Sequence, residues 1–127
     1  MHADNECGLT PESTYVELAV EVFAMLADAT RVRILLALRG EELSVNHLAD
    51  IVDKSPAAVS QHLAKLRMAR IVATRQEGTR VFYRLANEHA RKLVVDAIFQ
   101  AQHAIDAHPP HHRGDLPAST DPGVLDA

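Results

Sequence analysis

The periodicity of the apolar residues constrains the fold of this chain more than any other feature, because it departs from helical spacing over one stretch only. From residue 15 to residue 69 apolar side chains recur at helical spacing. From 71 to 85 they alternate at a period of two, and from 87 onward the helical spacing returns. A single β-prone stretch between helical segments predicts a mainly α fold with one small β-hairpin, an α+β class, and leaves no room for a larger sheet.

Local signals divide the helical segments. Thr10-Pro11-Glu12 reads as a helix start, with Tyr15, Leu18, Ala19, Val22, Phe23 and Leu26 forming the apolar stripe that follows. A second helix is expected over Thr30 to Arg39, closed by Gly40. Ser44 is placed to cap a short third helix carrying Val45, Leu48, Ala49 and Val52. After the turn Asp53-Lys54-Ser55, the pair Ser55-Pro56 opens a fourth helix to about Ala69, with Val59, Leu63 and Leu66 toward the core. Ile71–Arg75 and Thr79–Leu85 then flank Gln76-Glu77-Gly78 as a hairpin. Asn87 caps a last long helix whose stripe is Ala90, Leu93, Val94, Ala97, Ile98, Ala101, Ala104 and Ile105. Pro109-Pro110 ends it. The expected division is a flexible arm over residues 1–9, a folded domain over 10–107 and a largely disordered, His-containing tail over 108–127.

This order of elements is a winged helix-turn-helix. The fourth helix enters the major groove with its N-terminal residues at base edges, and the hairpin is the wing. Charge agrees with that reading. The chain carries a net −4, yet residues 54–84 hold seven Lys and Arg against one acid, Glu77. A basic segment on an acidic chain is the footprint of local DNA docking rather than of bulk nucleic-acid binding. In the fourth helix Ser55, Ala57, Ala58, Ser60, Gln61, His62 and Lys65 are small or polar, so the backbone can approach DNA. Ser60 and Gln61 can pair with base edges, and Ser55 with a phosphate at the helix N-terminus. Arg75, Arg80 and Arg84 of the hairpin can reach phosphates or the minor groove. Paired carboxylates, a Ser/His/Asp arrangement and a phosphate loop are all missing, so an enzyme is not expected. With no apolar run of about 18 residues and a polar, acidic start, a cytoplasmic protein without a membrane span is expected. The single Cys7 excludes an internal disulfide.

Three motifs in this order resemble a known family. Phe23-Ala24-Met25-Leu26-Ala27-Asp28-Ala29-Thr30-Arg31-Val32-Arg33-Ile34-Leu35 resembles the signature LADPTRLRIL, and Ser60-Gln61-His62-Leu63-Ala64-Lys65-Leu66 resembles SQHLKxL. Gly78-Thr79-Arg80-Val81-Phe82-Tyr83-Arg84-Leu85 resembles the wing GRxVYYxL. These are motifs of the ArsR/SmtB metal-responsive repressors, and the resemblance runs over residues 15–107. It implies a homodimer, joined through the first and last helices, that binds a palindromic operator and is released by an inducer, usually a metal ion.

The histidines say where an inducer would bind. Five of the eight lie between residues 89 and 112: His89, His103, His108, His111 and His112. Neutral imidazole is a common ligand for nickel, cobalt and zinc. Along one helix His89 and His103 stand within about 40° of each other but roughly 21 Å apart, so they can share an ion only across two antiparallel helices of a dimer. The family's site on this helix places its ligands at Asn87, His89, Gln100 and His103. Two of these are amides here, which bind metals poorly, so a four-ligand tetrahedral zinc site in the usual form is not expected. The region from Asn87 to Arg113 resembles the nickel/cobalt sensors of the family. That resemblance implies His89, His103, His111 and His112 as ligands, with His108 and Glu88 as secondary candidates, although Gln102 stands where those sensors carry a carboxylate. Ni(II) or Co(II) is the inducer so implied. Zn(II), or a redox signal at Cys7, is the alternative. The family's thiolate site on the third helix is lost, since Glu42-Leu43-Ser44-Val45-Asn46-His47-Leu48 contains no cysteine. His2 and Cys7 fall in the arm.

Overall fold

The structure, a computed structural model, describes residues 8–106. It contains helices α1 (Val16–Leu26), α2 (Ala29–Ala37), α3 (Val45–Val52) and α4 (Pro56–Met68). Strands β1 (Val72–Glu77) and β2 (Arg80–Leu85) follow, and then helix α5 (Glu88–Asp106). The chain divides into two compact units, one ending at Val94 and the other starting at Val95.

Short side chains start the helices of the first unit. Ser44 Oγ accepts from the N–H of His47 at 3.2 Å, and Ser55 Oγ from Ala58 at 3.1 Å with Pro56 at the first helical position. Asn87 Oδ1 accepts from Ala90 at 2.9 Å. All three caps are as the sequence predicts, and each satisfies an amide that the helix itself cannot. The first helix differs from expectation. Ser13 donates its N–H to Thr10 and its Oγ accepts from Tyr15, so a tight turn occupies residues 10–13 and the helix begins only at Val16. A serine that takes the amide two residues on competes directly with helical bonding. The second helix likewise begins at Ala29 rather than Thr30, because Asp28 is its cap.

Asp28 Oδ1 accepts from the N–H of Arg31 at 2.9 Å. That bond, ahead of the nearby charge of Arg31, holds the carboxyl below its usual 3.8 against a smaller opposing effect of burial. The contribution of Asp28 to stability is therefore complete above pH 3.8 and is lost as the pH falls through the lower folded value. Asp28→Ala is expected to cost about 1 kcal/mol at neutral pH. Asp28→Asn should keep the cap but lose this acid dependence, as read by denaturant melts between pH 5 and pH 2.

The fourth helix ends in a Schellman motif. The N–H of Arg70 bonds the carbonyl of Arg67 and that of Ile71 bonds Leu66, both at 2.9 Å, while buried Ile71 and Leu66 supply the accompanying apolar residues. Arg70 holds the left-handed position (φ 63°) that glycine usually takes.

The two strands pair antiparallel from Val72–Leu85 to Glu77–Arg80. The turn is Gly78-Thr79, with φ +62° at Gly78, so the first strand runs two residues further than the expected three-residue loop allows. A two-residue turn with positive φ only at its first central position is the type II′ hairpin, which selects glycine there. Tyr83 and Leu43 exchange backbone bonds at 2.8 and 3.0 Å, tying the hairpin to the segment before α3.

The core of this unit is aliphatic. Ile34, Leu35, Leu38, Leu48, Val59, Leu63, Leu66 and Val94 are fully buried where α2, α3, α4 and the start of α5 meet. α1 buries none of its residues, and Val16, Leu18, Val20 and Phe23 stay exposed. The second unit contributes the helical residues 95–106, where Phe99 and Ile105 are likewise exposed. The first and last helices thus form elements as expected, but much of their apolar surface is open in the single chain.

Candidate DNA interface and inducer site

The cap and proline at Ser55-Pro56 point α4 outward from the left-handed turn at Asp53 (φ 57°). The helix buries Val59, Leu63 and Leu66. Its opposite side exposes Ala57, Ser60, Gln61, Ala64, Lys65 and Arg67. Alanines at its centre leave the backbone accessible, with Ser60 and Gln61 on either side of them. Ser55 is exposed at the N-terminus. Ala58 and His62 are half-buried, and His62 lies against Arg31, its Nδ1 3.2 Å from Nη1. The structure thus separates these two residues from the exposed surface with which the sequence grouped them.

The register of the hairpin puts Arg75, Arg80 and Arg84 on one face, with Ala73, Phe82 and Glu77. They are not equivalent there. Arg75 donates through Nε to Glu42 at 2.8 Å and through Nη1 to Glu77 at 3.3 Å. Its guanidinium stands 4.9 Å from the centre of the Phe82 ring, and that of Arg80 stands 5.1 Å from the same ring. The bond to Glu42 foremost, then that to Glu77, holds Arg75 even more firmly protonated than a free arginine. Its charge is nevertheless matched by two carboxylates, which makes it an anchor of the wing. Arg80 and Arg84 are exposed and make no ion pair among the described residues.

Between α4 and the wing runs a groove lined by Ser60, Ala64, Arg67 and Arg70 on one side and Thr74 and Tyr83 on the other. The site residues read from the sequence omit Arg67 and Arg70. Arg67 shares a helical face with Ser60 and Ala64, a spacing visible in the sequence. The position of Arg70 depends on its left-handed backbone, which nothing local in an arginine foretells.

His89 and His103 both belong to α5 and both are exposed. Glu88 is paired with Arg91 at 3.0 Å. His108, His111 and His112, with His2 and Cys7, lie outside the described residues. Among the described residues no group of three His, Cys, Asp or Glu stands close enough to hold a metal ion. The exposed imidazoles of His89 and His103 are donors of the right chemistry for a metal ion. No helix among the described residues is long and apolar enough to cross a membrane.

Comparison with known proteins agrees with this geometry. Residues 28–74, from the cap of α2 into the first strand, match the model of the bacterial regulatory protein arsR family. The chain is 58% identical over 113 residues to the HTH-type transcriptional regulator KmtR of Mycobacterium tuberculosis, covering 89% of this chain and 86% of that one. It is 35% identical to the transcriptional repressor SmtB of the same organism, covering 72% and 67%. Among solved structures, it superposes with TM-score 0.69 on the homodimeric winged helix-turn-helix DNA-binding domain of a Mycobacterium bovis protein, at 26% identity over 78% of this chain and 95% of that one. NolR of Sinorhizobium fredii superposes with TM-score 0.64 at 31% identity, covering 72% and 95%. By fold and by this kinship, the chain belongs to the arsR family of bacterial regulatory proteins and is a DNA-binding transcriptional regulator, not an enzyme.

Proposed function

We propose that this protein is a metal-responsive repressor that binds a palindromic operator as a homodimer and is released by Ni(II) or Co(II). The observation that carries the metal half of this reading is the character of α5. It bears exposed His89 and His103 along with exposed apolar Leu93, Phe99 and Ile105. Apolar helix surface in a small domain calls for a partner. With α1 exposing Val16, Val20 and Phe23, a second copy is the partner that covers both, by the symmetry that repeats every contact. Such a dimer brings His89 of one copy toward His103 of the other, in two equivalent sites.

The ligands in this reading are His89, His103, His111 and His112, with His108 and Glu88 secondary. Glu88 must give up Arg91 to serve. A set of imidazoles with room for further oxygen donors suits octahedral nickel or cobalt better than tetrahedral zinc. When bound, the metal supplies a cross-link between the two copies. The residues of this chain do the rest: α5 sets the separation of the two α4 helices, and Ser60 and Gln61 read bases only at the matching separation. Metal and operator must then weaken each other by the same factor.

The test is operator affinity of the dimer with and without each metal. Nickel or cobalt is expected to weaken binding at least tenfold, within the range of about 5–150-fold typical of such coupling. His89→Ala with His103→Ala should abolish that response while leaving metal-free DNA binding intact. Weak cobalt absorption marks six ligands and strong absorption marks four, which separates the nickel/cobalt reading from the zinc one. Induction that survives both alanines but is lost in Cys7→Ser would instead favour a redox inducer.

A further inference from the structure

His62 sits between Gln61 and Leu63 in α4, yet it is withdrawn from the exposed reading surface. Its partner, Arg31, lies 31 residues earlier, with Nη1 3.2 Å from Nδ1 of the ring. A guanidinium only donates, so Nδ1 is the acceptor and the neutral imidazole carries its proton on Nε2.

Arg31 is itself held from two other directions. Its Nε donates to the carbonyl of Met25 at 2.6 Å, and its backbone N–H donates to the carboxylate of Asp28 at 2.9 Å. Met25 belongs to the last turn of α1 and Asp28 caps α2. One arginine thus joins the end of α1, the start of α2 and the middle of α4, through bonds that are all partly buried.

The apolar contacts of α4 do not fix its rotation by themselves. Burial of Val59, Leu63 and Leu66 is non-directional, and a helix on an aliphatic core can turn by some degrees at little cost. A hydrogen bond to a fixed guanidinium is directional. The bond that His62 accepts from Arg31 acts on the residue next to Gln61, 100° around the helix. It restrains the rotation that aims Ser60 and Gln61 outward.

We propose that His62 is a positioning residue for base reading: its bond to Arg31 sets the rotation of α4, and His62 does not itself contact a base. This inference rests on the DNA-reading role proposed for α4.

The test uses the full-length chain with two duplexes, an operator selected from a random pool and a random-sequence control. His62→Leu removes the acceptor. His62→Asn restores one, because the amide Oδ1 stands close to where Nδ1 stands in the ring. His62→Leu is expected to lose about tenfold or more in operator affinity, the scale of a hydrogen bond to a charged group, with control binding unchanged. His62→Asn should recover most of that loss, and repeated selection should yield the same operator for both variants. Thermal melts verify that each variant is folded. Should His62→Leu unfold, Arg31→Lys provides the same comparison, since a single ammonium cannot reproduce the rigid pair of guanidinium bonds to the Met25 carbonyl and the His62 ring. In folded proteins the double variant should lose no more than His62→Leu alone. An Asn variant no better than the Leu variant, additive losses, or a changed base preference at one operator position would each overturn the proposal. A wild-type chain that does not distinguish the two duplexes would overturn the DNA-reading role itself, and this inference with it.

Discussion

Replacing Ser60 and Gln61 together by alanine should lower affinity for the operator by about a hundredfold while leaving the fold and non-specific DNA binding in place. The two side chains are exposed on α4, so their removal opens no cavity, and alanine is the best helix former. A good base contact contributes about 1–3 kcal/mol of discrimination, and two of them account for the expected loss. The cations around them remain, so the dependence of binding on salt should not change. Lys65→Ala with Arg80→Ala should behave in the opposite way. Both operator and random duplex should weaken, and the slope of log affinity against log salt should fall by about two, one for each phosphate contact. Titrations of labelled duplex at several salt concentrations separate the two patterns. Equal loss on both duplexes for the Ser60/Gln61 variant would show that α4 does not read sequence.

The second large effect concerns the scaffold that presents this helix. Leu63 is fully buried, like Ile34, Leu35, Leu48, Val59 and Leu66 in the same core. Leu63→Ala removes apolar contact and leaves a cavity that the surrounding helices fill only in part, at a cost of about 3–5 kcal/mol. Domains of this size hold roughly 5–15 kcal/mol in all. The variant should melt about 12–40 °C lower, if each kcal/mol moves the midpoint by about 4–8 °C. Its DNA binding should fail as the fold fails. Melts must be compared at one protein concentration and without metal, since association and ligands shift the midpoint by mass action. Gln61, two residues from Leu63 and so about 200° around the helix on the exposed side, should show no such loss when replaced by alanine. The contrast between the two positions tests whether α4 is amphipathic in the sense described here.

Much of this architecture was legible before any coordinates. The change of period at residue 71 announced the wing, and Ser44, Ser55-Pro56 and Asn87 announced three helix starts. Each is a matter of a few neighbouring residues: a side chain accepts an amide three positions on, and no distant group needs to be known. The three motifs carried the family and the DNA-reading role for the same reason, since they lie in contiguous stretches. Where local signals competed, the reading failed. Thr10-Pro11 satisfies the rules for a helix start, but Ser13 captured the amide of Tyr15 and postponed the helix to Val16. The hairpin turn slid from Gln76-Glu77-Gly78 to Gly78-Thr79 because cross-strand pairing as far as Glu77–Arg80 settles the register.

The sequence by itself determined the order of helices and hairpin, the inward residues Val59, Leu63 and Leu66 of α4, and the concentration of basic residues over α4 and the hairpin, whereas the stripe it offered on the first helix stays unburied. Only the tertiary structure decided what each charged or polar side chain in that region is doing. Arg75 is held by Glu42, 33 residues away, and so anchors the wing, whereas Arg80 and Arg84 stand free of ion pairs among the described residues. His62 faces Arg31, 31 residues away, and so leaves the surface that Ser60 and Gln61 share. Arg70 enters the groove beside α4 because its backbone is left-handed. Periodicity and capping act over one or two turns of chain. An ion pair or a hydrogen bond between distant segments exists only once packing has brought its two ends within about 3 Å, and that is why the role of each candidate residue in the basic segment could be assigned only after folding.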